Sequence, residues 1–232
     1  MSVARLDEIQ DRVISCRACP RLVEWREAVA RTKRAAFASE RYWGRPVPSF
    51  GDPAASVLIV GLAPAAHGGN RTGRIFTGDR SGDWLFGALY RCGFANQPIS
   101  AHLDDGLALR GAYIAAAVKC APPANKPLPA ERDRCSVYLR SEIAALDRLD
   151  VVVALGSFAW DAFLRVVASI GWSVPRPRPT FGHRAEVPIG DVTLVGCYHP
   201  SQQNTFTGKL TEAMLDDVFM RARELSHLEP NP

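Results

Sequence analysis

The stretch Ser56-Val-Leu-Ile-Val60, running into Gly61-Leu-Ala-Pro-Ala-Ala-His-Gly-Gly-Asn-Arg-Thr-Gly-Arg-Ile-Phe-Thr-Gly-Asp79 and on to Ser81–Cys92, decides the fold. A short apolar, β-branched run bounded by a glycine predicts a strand buried on both faces, as in a parallel sheet. Helical spacing from Ser81 predicts the covering helix. The pattern recurs in Tyr113–Val118, Val151–Leu155 and Thr193–Tyr198, with helix-like stretches at Ala130–Leu149, Gly156–Ile170 and Leu210–Leu225. Two more, Val3–Ser15 and Pro20–Ala36, precede the first strand. Strand and helix alternate, so the expectation is an α/β fold: a three-layer α/β/α sandwich around a central four-stranded parallel sheet.

The 232 residues suffice for one substantial domain, expected over 1–232. A 47% hydrophobic and 22% charged composition is ordinary for a globular chain. No apolar run approaches the roughly 18 residues of a membrane helix, and the start, Met1-Ser-Val-Ala-Arg-Leu-Asp, is polar. Membrane-spanning, collagen-like and disordered classes are excluded, and a cytoplasmic protein is expected. The net charge of +4 is mild, yet residues 1–50 carry ten Arg or Lys against six acids. That surplus suits either solvated helix faces or a surface that meets a polyanion.

Six cysteines are present, without a secretory leader that would argue for disulfides. Cys16 and Cys19 form a Cys-x2-Cys pair opening the second helix. Cys120 closes the second strand in Lys119-Cys-Ala-Pro-Pro123, and Cys135 lies in the next helix. Two close cysteines plus two from another segment can enclose Zn²⁺ or an iron–sulfur cluster. The long gap to Cys120 is not a zinc-ribbon spacing, and Cys120/Cys135 lacks a tight knuckle, which leans toward a cluster. Scattered buried thiols are the plainer alternative. Cys92 and Cys197 sit in apolar contexts and read as core.

Ligands of such sheets sit in the loops beyond the C-terminal strand ends. The loop after the first strand matches neither Gly-x-Gly-x-x-Gly nor the Walker pattern. Its glycines let backbone approach a flat ligand, Phe76 offers a stacking face, and Asp79 is its only carboxylate. The loop after the fourth strand, His199-Pro-Ser-Gln-Gln-Asn-Thr-Phe-Thr-Gly208, supplies an imidazole at a strand end. An acid and an imidazole across a pocket, beside an aromatic ring, can hydrolyse a bond to a nucleobase. A histidine that merely caps the loop is the alternative. A third loop, Ser173–Glu186, reads as exposed.

These two loops, with Lys119-Cys-Ala-Pro-Pro123 and the four cysteines, resemble the uracil-DNA glycosylase superfamily, specifically its type-5 (B-type) bacterial and archaeal enzymes. The resemblance runs from Cys16 to about Asp217. It implies a [4Fe–4S] cluster of structural role, ligated by Cys16, Cys19, Cys120 and Cys135, and hydrolysis of the N-glycosidic bond of a deaminated base in DNA. Cleavage builds positive charge on the sugar and negative charge on the base. Asp79 is expected on the sugar side, holding or activating water, and His199 as hydrogen-bond donor to the base oxygen. Phe76 would stack on the base, with Gly61, Leu62 and Ala63 as the pocket wall. Asn204, with Gln202, Gln203 and Thr205, would reach the minor groove as the base flips out.

Two departures bear on specificity. Type-4 relatives carry an acid after the opening glycine, where this chain has Leu62. They also carry a base-reading asparagine on the second strand, where this chain has Ala116. A pocket lined by small apolar groups discriminates weakly, so uracil, hypoxanthine and other deaminated bases are expected substrates. A monomer is the expected state. A cluster-bearing electron-transfer protein would account for the cysteines but not for Asp79, His199 and Phe76. A nucleoside hydrolase would need neither the basic N-terminal region nor the long loop after His199.

Overall fold

The computed structural model describes residues 2–228. Helices α1 (Ser2–Ile14) and α2 (Pro20–Thr32) lead into a two-residue strand β1 (Phe50–Gly51), then β2 (Val57–Gly61), the short α3 (Gly69–Thr72) and α4 (Arg80–Arg91). Next come β3 (Ala112–Ala116), α5 (Pro129–Ala145), β4 (Val151–Leu155) and α6 (Ser157–Ser169). The chain closes through β5 (Glu186–Ile189), β6 (Val192–Cys197), α7 (Gln202–Phe206) and α8 (Glu212–Leu225).

The strands form one sheet in the order β1-β3-β2-β4-β6-β5. Its four inner strands are mutually parallel, and β1 and β5 pair antiparallel at the two edges. Every residue of β2, β3 and β4 is buried, because helices cover both faces. Alternation along each strand splits the core in two. Leu58, Val60, Tyr113, Ala115, Val152 and Ala154 pack against residues of α1, α5 and α6. Val57, Ile59, Ile114 and Val153 face residues of α4 and α8. The result is the three-layer α/β/α arrangement.

The expected four-stranded parallel sheet is therefore the centre of a six-stranded mixed one. β1 is too short to leave a pattern. β5, which begins where the predicted third loop ends, contains Pro188, a residue tolerated at a sheet edge. The second strand stops at Ala116 rather than Val118, although Ala117 and Val118 still donate to the Gly61 and Leu62 carbonyls at 2.9 and 3.0 Å. Cys120 thus lies beyond the strand end. α2 ends at Thr32, not Ala36, because Lys33 takes a left-handed φ of 56°. Among the described residues no helix is long and apolar enough to cross a membrane. The ends of the expected 1–232 domain, residue 1 and residues 229–232, lie outside the described residues.

Candidate active site and cysteine pocket

The parallel strand order puts β2 between β3, reached by one crossover, and β4, reached by the next. The connections diverge there, the position at which open α/β sheets bind ligands. Both catalytic candidates come from loops at this end of the sheet.

Asp79 is the N-cap of α4, its side chain accepting from the Gly82 N–H at 3.1 Å. The carboxyl group lies directly over Gly68: a Cβ at that position would stand 2.0 Å from Asp79 Oδ2. The glycine-rich loop is therefore shaped around this acid. Burial pushes the Asp79 carboxyl above the usual carboxylate range, while the Gly82 and Ser81 N–H groups at the helix head partly offset that rise. Arginines of the same loop brace it. Arg71 pairs with Glu40 and donates to the His67 and Gly78 carbonyls at 2.8 and 3.0 Å. Arg74, buried, donates to Thr77, Ser100 and Asp105.

Phe76 holds a left-handed φ of 53°, a conformation costing a non-glycine residue about 1–3 kcal/mol. Its ring lies flush on Gly61, where a Cβ would meet Cε2 and Cζ at 2.8 Å. It is only 6% exposed, so a narrow part of it meets the cleft. The His199 ring is its neighbour there, 5.9 Å between centroids at a 36° tilt. His199 itself sits over the end of β4, since a Cβ built at Gly156 would stand 3.5 Å from its Cβ. Burial lowers its pKa to about 4, so the imidazole is neutral near pH 7. Ala116, the last residue of β3, is buried and pairs in register with Gly61. Leu62 and Ala63 follow, half-buried. Gly61, Phe76, His199 and Ala116 thus occupy neighbouring positions at one end of the sheet.

In the loop after His199, Ser201 caps the short α7. Asn204 turns inward, its side-chain amide donating to the His199 carbonyl at 2.8 Å. Through that one N–H it braces the histidine's backbone. Gln202 and Gln203 are exposed; Thr205 is half-buried. The sequence reading missed Phe206, 66% exposed, with the Arg80 guanidinium 4.3 Å from its ring centroid. Arg80 directly follows Asp79, so this pair links the two loops. An aromatic in a polar loop was the available signal.

Cys16, Cys19, Cys120 and Cys135 all line one small cavity, beside Arg26 and Arg134. Sulfur-directed donors converge on it: Arg26 Nη1 to Cys120 Sγ at 2.9 Å, the Lys119 N–H to Cys135 Sγ at 3.3 Å, and Arg134 Nη1 to Cys19 Sγ at 3.8 Å. Among the described residues no three or more His, Cys, Asp or Glu side chains are arranged to hold a single metal ion. Arg26 is 2% exposed and its Nε has no partner. A buried guanidinium without a carboxylate calls for an anion, and four thiolates holding an iron–sulfur core supply one. The donor set therefore fits the expected group. Cys92 and Cys197 lie in the core and not in this cavity.

The cavity adjoins the other site. Ala63 packs on the small cluster of Leu22, Val118 and Cys120. The pocket wall therefore touches the lining of the cysteine pocket through Ala63.

Comparison with known proteins gives the family. The family model for the uracil DNA glycosylase superfamily matches residues 48–223. A type-5 uracil-DNA glycosylase of Mycobacterium tuberculosis is 53% identical over 96% of this chain and 82% of its own length. One from Mycobacterium leprae is 52% identical over 95% of this chain and 96% of its own. A third, from Thermus thermophilus, is 48% identical over 92% and 95%. The chain belongs to the uracil-DNA glycosylase superfamily, in its type-5 branch.

Proposed function

We propose that this protein is a DNA base-excision glycosylase that hydrolyses the N-glycosidic bond of uracil in DNA and leaves an abasic site. Its specificity extends to other deaminated bases such as hypoxanthine. The observation that carries the reading is the juxtaposition of Phe76, held against Gly61, with a neutral His199 whose ring has no hydrogen-bond partner among the described residues. As the C–N bond breaks, electrons move onto the base, and its oxygen gains negative charge. A neutral imidazole donates an N–H to that oxygen without surrendering its proton. The Asp79 carboxylate offsets charge on the sugar and orients water toward its anomeric carbon, accepting a proton as the water adds.

Relaxed specificity is supported by Ala116, a small apolar residue opposite Gly61 that offers no side-chain hydrogen bond to a base edge. We further propose that Cys16, Cys19, Cys120 and Cys135 hold a [4Fe–4S] cluster, which the turn after α1 and the start of α2 help to enclose. The cluster would tie the N-terminal segment to β3 and α5. The four thiols line one cavity and so supply the four ligands that such a cluster takes. One chain carries every group invoked, which supports a monomer.

The test is base release from uracil- and hypoxanthine-containing oligonucleotides, single- and double-stranded, against free deoxyuridine and deoxyinosine. Release from oligonucleotides and not from nucleosides is expected. Failure on every oligonucleotide by iron-loaded protein overturns the reading. Failure on hypoxanthine alone removes only the relaxed specificity.

A further inference from the structure

Arg26 is the only arginine of α2 that is buried, and its surroundings are unusual for a cation. Among the described residues no carboxylate lies within ion-pairing distance of it. Its polar partners are Cys120 Sγ at 2.9 Å and the Cys16 carbonyl at 3.2 Å. Its Nε is orphaned. Burying a guanidinium this way is strongly unfavourable unless an anion completes the site, and the cavity it faces contains the four thiols. The Arg26 backbone also reaches the other site. Its carbonyl accepts from Asn70 Nδ2 at 3.2 Å, and Asn70 is a buried residue of α3, in the loop that presents Gly68 to Asp79.

We infer that Arg26 is the counter-charge of the thiolate-held cluster, setting its retention and its reduction potential, and that α2 transmits cluster loading to the substrate loop through Asn70. The inference rests on the cluster reading above. A cluster core held by four thiolates is a net anion, so a neighbouring buried positive charge stabilises it and favours the added electron of its reduced form. The N–H···S bond to Cys120 orients that ligand as outer partners orient metal ligands elsewhere. Arg134 adds a longer contact to Cys19 from the solvent side. It is exposed, and its charge is screened.

The test compares wild-type protein with Arg26→Gln and Arg26→Lys after identical iron and sulfide reconstitution. The readouts are iron per chain, the rate of bleaching by a chelator, the midpoint of one-electron reduction with dithionite, and amide hydrogen exchange across residues 65–79. Wild type should load about four irons. Arg26→Gln should bleach about 10–100-fold faster, with a more negative midpoint and faster exchange in the loop. Arg26→Lys should retain the midpoint but bleach faster, since charge is kept and the fork to sulfur is lost. An iron-loaded Arg26→Gln with wild-type bleaching and midpoint overturns the inference alone. A wild-type chain that takes up no iron, or only zinc, overturns the cofactor reading and this inference with it. If Arg26→Gln does not fold, Arg26→Lys decides: wild-type bleaching in that variant overturns the proposal.

Discussion

Asp79 has two jobs that a single substitution can separate. As N-cap it accepts from the head of α4; as the loop's carboxylate it faces the sugar in the proposed reaction. Asparagine caps a helix about as well as aspartate. Asp79→Asn should therefore keep the thermal midpoint while single-turnover excision falls about 10²–10⁴-fold; an unchanged rate refutes the role. His199 gives a pH signature. With its pKa lowered to about 4 by burial, excision should show no inflection near the ordinary histidine value of about 6.5. His199→Ala should lower the rate about 10²–10³-fold. Stability carries the matching sign. The unfolded chain takes up this proton below about pH 6.5 and the folded one only near 4, so stability falls as pH drops through that window. The slope is at most about 1.4 kcal/mol per pH unit. Denaturant unfolding at pH 7 and 5 should show a larger loss for wild type than for His199→Gln.

At the scale of elements, the segment just after β3 is locked to α5 by a buried ion pair that no local pattern announces. Lys119 is 1% exposed and Glu142 0%, with Nζ at 2.9 and 2.8 Å from the two carboxylate oxygens. Ser49 bridges both partners, and Gln10 of α1 donates to Glu142 and to the Tyr113 hydroxyl. Lys119→Ala leaves Glu142 as an uncompensated buried charge and should destabilise the fold by about 3–5 kcal/mol, measurable by urea unfolding. An effect under about 1 kcal/mol would show that the pair is not desolvated as drawn. Elements that were legible are those whose pattern is local: β2 and β4 are unbroken apolar runs, and the long helices repeat at helical spacing. The missed ones are short. β1, β5, α3 and α7 have too few residues for periodicity and are held by pairing, caps and neighbouring loops.

For the whole molecule, eight of the ten basic residues of 1–50 fall into two groups. Arg17 and Arg21 pair with Glu27 and Glu131, Arg5 approaches Asp147, and Arg26 is buried in the cysteine pocket. Arg31, Arg34, Arg41 and Arg45 are exposed. Their segment packs on the substrate loop: Tyr42 hydrogen-bonds His67, and the Trp43 and Gly44 N–H groups donate to the Arg71 and Asn70 carbonyls. The segment bearing these exposed cations thus flanks the loop that leads to Asp79. Replacing Arg41 and Arg45 together by alanine should reduce the slope of log affinity against log salt by about two. An unaltered slope in DNA-binding titrations would place the DNA elsewhere.

The amino-acid order by itself determined the parallel α/β plan, the two long loops at the strand ends, Asp79 and His199 as the candidates within them, and the four cysteines as one set. Buried strands, glycine-rich turns and a Cys-x2-Cys pair are local signals carried by nearby residues, and the resemblance to a known family joined Cys120 and Cys135 to that pair. Only the tertiary structure decided which groups meet. It laid Phe76 on Gly61, turned Asn204 inward to the His199 carbonyl, added edge strands to the sheet, and aimed a buried Arg26 at Cys120. Each of these depends on contacts between segments far apart in the chain. A residue's burial and partners there follow from how layers pack, and no periodicity within its own segment encodes them.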